Sequence, residues 1–131
     1  MYQDNKEETA ELIRSVLRSY NRQFFIDSET INLVEEQSGH FIGGLTATRD
    51  FDSIYIDYFV VEKEYRKSGI GRKLLLRLEE IAKEKNVKRI MLNTYSFQSP
   101  GFYEKMGYKP NLIIDPVFIN YKHYHFIKEL S

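Results

Sequence analysis

The stretch of this sequence best equipped for chemistry runs Val60-Val61-Glu62-Lys63-Glu64-Tyr65-Arg66-Lys67-Ser68-Gly69-Ile70-Gly71-Arg72-Lys73-Leu74. Glycines at 69 and 71 remove the Cβ atoms that would keep a ligand away from the backbone, and the N–H groups that open a helix have no intrahelical partners. Such free donors suit phosphate oxygens. Arg66, Lys67, Arg72 and Lys73 put four positive charges within eight residues, enough to stabilise several anionic oxygens at once, so the segment points to a pyrophosphate. A solvated basic face over a plain strand-to-helix turn is the other use of the same residues. No Gly-x-x-x-x-Gly-Lys-[Ser/Thr] occurs, and Leu74 stands where a dinucleotide Gly-x-Gly-x-x-Gly would place its third glycine, so both of those nucleotide loops are set aside.

The elements that must position this segment can be read from the spacing of apolar residues. Residues 4–23 form a helix, since Leu12, Ile13, Val16, Leu17 and Tyr20 make one stripe at a period near 3.6. Glu7, Glu8 and Glu11 near its start and Arg14, Arg18 and Arg22 towards its end suit the helix dipole. Three strands follow, 30–36, 41–48 and 53–61, with short polar connections that make an antiparallel meander. Gly43-Gly44 interrupts the middle strand and marks a bulge or a close backbone approach. Beyond the glycine loop, Leu74, Leu75, Leu78, Ile81 and Ala82 form a second helical stripe ending near Lys85-Asn86. Residues 87–95 are then a mostly buried strand, and reaching it through a helix makes it a parallel neighbour of the strand ending at Val61. Pro100 opens a short helix over 101–106 that Gly107 ends. Strands at 108–114 and 117–128 close the chain, with Asp115-Pro116 as the turn between them.

Composition limits what this frame can be. A chain of 131 residues and 15.6 kDa fits one domain, 1–131, with no repeat or linker. Nineteen Lys plus Arg balance nineteen Asp plus Glu, which argues against nucleic acid as a partner held by general charge. No cysteine occurs, so there is no disulfide framework, thiolate metal site or Cys nucleophile. No apolar run approaches a membrane span and the first residues lack a secretory apolar core, so the expectation is a cytoplasmic protein without membrane contact. His123 and His125 share a strand face, yet no third ligand is evident and no metal is expected. His40 lies in a turn. Phe24, Phe25, Tyr55, Tyr58, Phe97, Tyr121 and Tyr124 could serve an apolar acceptor pocket, core packing or a homodimer.

Two motifs in this order resemble the GNAT superfamily of acyl-coenzyme A-dependent N-acetyltransferases. Arg66-Lys67-Ser68-Gly69-Ile70-Gly71 is similar to its Arg/Gln-x-x-Gly-x-Gly/Ala pyrophosphate loop, and Val60 to Tyr65 to its preceding strand end. Phe102-Tyr103-Glu104-Lys105-Met106-Gly107-Tyr108 resembles its Phe-Tyr-x-Lys-x-Gly-Phe signature, and Tyr124 to Leu130 its last strand. The resemblance spans roughly 10–130. It implies a mixed, mainly antiparallel central sheet with a parallel, splayed pair of central strands, flanked by helices, and acetyl-coenzyme A entering the splay as co-substrate.

Carried over by position, the resemblance assigns the main chain of Phe59, Val60 and Val61 to the pantetheine arm. The amides from Lys67 to Gly71, through Ser68, Gly69 and Ile70, take the pyrophosphate, with Arg66 and Arg72 lining the loop. Tyr103 matches a tyrosine that donates a proton to the departing thiolate; a core aromatic is its other use. Ser96 and Ser99 stand where many members have Asn and Ala on the cofactor side, and Asn93 at the strand end is either a substitute for that amide or a turn former. An amine acceptor must lose a proton before attacking the thioester. Asp57, read on the alternating face with Tyr55, Phe59 and Val61, is the first candidate to take it; Glu62 is the second, and bulk solvent a third route. The implied activity is acetyl transfer to a primary amine of a small molecule or peptide, the alternative being a non-catalytic acyl-coenzyme A-binding module.

Overall fold

The computed structural model describes residues 1–130. In chain order its elements are α1 (Glu7–Asn21), β1 (Ser28–Gln37), β2 (His40–Asp50), β3 (Ser53–Val61), a 3-10 turn (Lys63–Tyr65), α2 (Ile70–Glu84), β4 (Arg89–Tyr95), α3 (Pro100–Lys105), β5 (Lys109–Phe118) and β6 (Tyr121–Glu129). The strands form one six-stranded sheet in the order β1-β2-β3-β4-β6-β5. Every neighbouring pair is antiparallel except β3 with β4. The mixed, mainly antiparallel sheet with one parallel central pair is therefore the fold class expected from the sequence.

That parallel pair is short. Ser53, Ile54 and Tyr55 pair with Arg89, Ile90 and Met91, and there the ladder stops. The upper part of β3 remains bonded only to β2, and the upper part of β4 only to β6. A β-bulge sits directly above the last pair: Ala47 faces Ile56 and Thr46 faces Tyr58, leaving Asp57 as the extra residue. A bulge bends its strand and increases its twist, which carries β3 away from β4 and opens the sheet.

One face of the sheet is the core. Leu74, Leu75, Leu78 and Ala82 of α2 pack on Leu45, Ala47, Ile54, Ile56, Ile90, Leu92 and Phe126. Leu75 and Leu78 are fully buried, each a gain of roughly 1.5–3 kcal/mol over exposure. A polar clamp ties this layer to the end of α3: the Lys128 ammonium donates to Glu79 Oε1 at 2.9 Å and to the Met106 carbonyl at 2.8 Å, and Tyr108 OH donates to Glu79 Oε2 at 3.0 Å. Gly107 ends α3 with φ +92°, as expected of a glycine there.

Gly43-Gly44 combines both expected features. A register shift between Glu35 and Glu36 leaves Ile42 unpaired. A Cβ on Gly44 would lie 2.8 Å from the Leu33 carbonyl, and one on Gly43 3.2 Å from the Val60 carbonyl. The last hairpin departs from the sequence reading. Asp115-Pro116 lies inside β5, and the turn falls at Ile119-Asn120. Because β5 is the sheet edge, proline costs it no ladder bond, and a register shift between Ile114 and Phe118 absorbs the irregularity. The first helix begins at Glu7 rather than residue 4, and none of its residues is buried.

Candidate active site

The glycine loop runs from the top of β3 into α2. Lys67 at φ +64° and Gly69 at φ +89° alternate with residues of ordinary φ, so successive amides turn towards the same side, as in an anion nest. Among the described residues no protein acceptor meets the amides of residues 67–72; the ladder of α2 begins with Lys73 N–H to the Gly69 carbonyl at 3.0 Å. The two glycines work differently. Gly69 caps the helix in the left-handed region and a Cβ there would meet nothing within 4 Å, so its need is conformational. At Gly71 a Cβ would lie 3.5 Å from Phe102 Cζ and 3.8 Å from Val61 Cγ2, ordinary contacts, so a methyl fits there and only a larger or branched side chain would press between α2, α3 and β3.

Side chains brace this loop from below. Arg66 Nε donates to the Val61 carbonyl at 3.0 Å, and Ser68 Oγ donates to the Tyr65 carbonyl. Lys73 is drawn aside to Glu35 at 2.9 Å. Lys67 and Arg72, like Arg66, have no carboxylate partner among the described residues, so the loop carries uncompensated positive charge.

Below the loop the splay exposes main chain. Phe59, Val60 and Val61 pair with Leu45, Gly44 and Gly43 on one edge, while their other edge has lost β4. Tyr103, on α3, forms the aromatic floor: its ring centroid lies 6.3 Å from that of Phe59, 5.9 Å from Phe126 and 6.1 Å from Tyr108. Burial pushes its phenol up to about 12, so it stays protonated at neutral pH and able to donate. Gln98 sets this helix, accepting from Thr94 Oγ1 and the Tyr95 amide, both at 2.8 Å. Ser99 caps α3 without a side-chain bond, and Ser96 is turned to β6, its Oγ accepting from Lys122 N–H at 2.9 Å.

The bulge changes the reading of Asp57. Strict alternation would put it with Phe59 and Val61, but the extra residue reverses the face: Phe59 packs with the core and with Tyr103, whereas Asp57 emerges on the opposite face. There Thr48 Oγ1 donates to its carboxylate at 2.7 Å. Asn93 lies on that face as well, its amide donating to Tyr55 OH and its carbonyl oxygen 3.2 Å from His123 Nε2. His125 Nδ1 lies 2.9 Å from Asn111 Oδ1. Glu62 is exposed above the end of β3, its backbone N–H bonded to the Ile42 carbonyl at 2.8 Å.

The splay thus has two sides, a basic amide loop over an aromatic floor on one and a polar basin on the other. Thr48, Gln98 and His123 are the residues of this arrangement that sequence reasoning left without a role. Thr48 could have been found from the hairpin, whose short connection sets it beside the strand of Asp57; the other two have no spacing signal. A hollow of about 400 Å³ adjoins the basin, lined by Arg18, Asn21, Arg22 and Phe25 on one wall and Ser28, Thr48 and Asp50 on the other. Among the described residues no group of three or more His, Cys, Asp or Glu is placed to hold a metal, and no helix is long and apolar enough to cross a membrane.

Known proteins share this arrangement. An acetyltransferase from Bacillus cereus ATCC 14579 superposes with a TM-score of 0.82 at 31% identity, over 99% of this chain and 97% of that one. The aminoglycoside 6′-N-acetyltransferase from Enterococcus faecium has the same fold at 16% identity, with a TM-score of 0.65 over 100% of this chain and 98% of that one. Blasticidin-S acetyltransferase of Streptomyces morookaense is 31% identical over 74 residues, 56% of this chain and 54% of that protein. The chain spans about half the length of that curated relative. The model of the acetyltransferase (GNAT) family matches residues 1–108, from α1 through the amide loop to the Tyr103 helix. With that match over most of its length and the splayed sheet beneath it, this chain belongs to the GNAT acetyltransferase family.

Proposed function

We propose that the protein moves an acetyl group from acetyl-coenzyme A to a primary amine of a small molecule or peptide, by direct attack of the amine on the thioester. The observation that carries this reading is the run of unpaired amides at residues 67–72, beside Lys67 and Arg72 and above the open edge of Phe59, Val60 and Val61. These residues fit a pyrophosphate followed by an extended arm that takes the place of a strand partner. Arg66 and Ser68 hold the loop, Gly69 and Gly71 shape it, and Ile70 begins the helix whose first N–H groups face the anion.

Tyr103 acts as the proton donor to the departing thiolate. Its phenol is protonated at neutral pH, and its O–H can donate to the sulfur as negative charge develops there, the proton released by the attacking amine restoring the phenol afterwards. The amine approaches from the basin, where Asp57 takes its proton directly or through water, Glu62 being the second candidate. Asn93 belongs to the acceptor side in this reading, as a hydrogen-bonding group between Tyr55 and His123. Ser99, whose hydroxyl caps no helix amide, is available to the cofactor at the start of α3, while the Ser96 hydroxyl accepts from Lys122 N–H of β6.

The test is thiol release from acetyl-coenzyme A across a panel of primary amines. Acceptor-dependent release is expected; coenzyme A binding without release from any amine would favour the binding module instead.

A further inference from the structure

The first helix is turned the wrong way round for a helix of a single chain. Arg18, Asn21 and Arg22, from its polar side, line the hollow opposite Thr48 and Asp50. Its apolar stripe points away from the sheet: Leu12, Ile13, Val16, Leu17 and Tyr20 are each 58–66% exposed, and Phe24, whose ring lies 5.6 Å from that of Tyr20, extends the stripe past the helix end. A helix of 15 residues is marginal in water unless its amphipathic face is packed, because nucleation is costly and propensity alone adds little. Among the described residues nothing of this chain packs on the stripe.

We infer that a second copy of this chain covers it, the two α1 helices meeting face to face about a two-fold axis near Val16. Six side chains, each offering on the order of 100 Å², present roughly 600 Å² per copy and about 1,200 Å² in a pair, where specific interfaces begin. The chemistry of the stripe selects the occupant. Glu7, Glu11, Arg14 and Arg18 are paired with one another, and their helical positions put them on the side of the hollow. Thr9, Ala10, Ser19 and Gln23 border the stripe instead, with Glu8, one turn before Leu12, the single charge at its N-terminal end. A charged partner would find only that one carboxylate, and a lipid surface would find no basic rim. An isologous contact requires only a patch that tolerates its own copy, and an apolar patch with a single charge at one end does so.

The pairing also bears on the site, and this part rests on the reading of the basin as the acceptor side. The helix that contributes Arg18, Asn21 and Arg22 to the hollow is held in place by the neighbouring copy, so the acceptor wall of each site depends on its partner's α1.

Sedimentation of the purified chain across a concentration series decides the first part. A species of twice 15.6 kDa is expected, with Leu17→Glu reduced to a single-chain species and Lys83→Glu, on exposed α2 surface, still paired. Circular dichroism and cooperative urea unfolding of Leu17→Glu verify that it is folded. A wild-type chain that stays single at 100 μM, or a folded Leu17→Glu that stays paired, overturns the inference. Because the chain has no cysteine, Val16→Cys supplies a check that needs no disrupted interface. Mild oxidation is expected to link it to its own copy, and failure to link, or linking no better than Lys83→Cys, would place the contact elsewhere. Loss of thiol release with pairing intact would bear on the acetyl-transfer reading and leave the dimer standing.

Discussion

Substituting alanine at Gly69 and at Gly71 separately tests the account of the loop, because the two glycines are argued to serve different needs. Gly69 has φ +89° and ψ 2°, where an L-residue costs roughly 1–2 kcal/mol. The smaller unfolded-state gain of Gly→Ala, about 0.4–1 kcal/mol, does not offset a conformation the new residue resists. The added methyl itself meets nothing within 4 Å, so any effect is conformational. At Gly71 the added methyl sits 3.5 Å from Phe102, an ordinary contact, inside a helix where alanine is favoured over glycine by up to about 1 kcal/mol. Gly71→Ala is therefore expected to melt at or above the parent and Gly69→Ala below it. If Gly69→Ala relaxes by turning the loop amides aside, it loses hydrogen bonds to a charged group worth about 1.5–3 kcal/mol, or roughly a 10- to 150-fold weaker Kd for coenzyme A. Chemical unfolding and titration calorimetry with coenzyme A read the two quantities independently. Equal stability and equal affinity in Gly69→Ala would refute the claim that the left-handed turn aims the amides.

Other perturbations separate the remaining roles. Gly71→Val, whose branches extend towards Phe102, should weaken coenzyme A binding by at least about 1–3 kcal/mol, read by the same calorimetry. Tyr103→Phe should leave coenzyme A binding nearly unchanged and slow single-turnover transfer by roughly 10²-fold or more; an unchanged rate would make Tyr103 a packing aromatic. Its phenol is raised from 10 to about 12 by burial, so the neutral form is the one the fold favours. The associated stability is complete below pH 10 and lost as pH rises through 12, and alkaline unfolding of Tyr103→Phe should be less steep over that window. Asp57→Asn should lower transfer at neutral pH and recover part of it as the pH rises and free amine accumulates; a lowered melting temperature with an unaltered pH–rate profile would assign Asp57 to the scaffold. Glu79→Ala strands Lys128 and the Tyr108 hydroxyl in the clamp and should cost about 3–5 kcal/mol in urea unfolding.

The sequence made the amide loop and the order of elements legible because both rest on local signals. Paired glycines flanked by cations, a 3.6-residue stripe over Leu74–Ala82 and the Pro100 and Gly107 boundaries each act within a turn or two. The face on which Asp57 emerges depends on one extra residue between Ile56 and Tyr58, and no residue type in Ser53–Val61 announces a bulge. Asp115-Pro116 is a strong turn signal, yet an edge strand can carry it, while the real turn uses Ile119 at φ +52°, a residue that seldom adopts that conformation. The stripe of α1 declared a helix without saying which way it would face. That answer lies in contacts between distant residues, as does the meeting of Asn93 with His123.

The early end of the β3–β4 ladder makes the sheet an unfinished structural member. A strand edge that would ordinarily be satisfied by its neighbour is left open, and under the proposed function the coenzyme completes the sheet as a mortar joint completes an arch. Occupancy is then a form of folding energy: at a hundred times its Kd the coenzyme adds about 2.7 kcal/mol. The resistance of this chain to heat and to proteases would thus rise and fall with the acyl-coenzyme A supply around it, so that the pool of substrate sets the lifetime of the protein that consumes it.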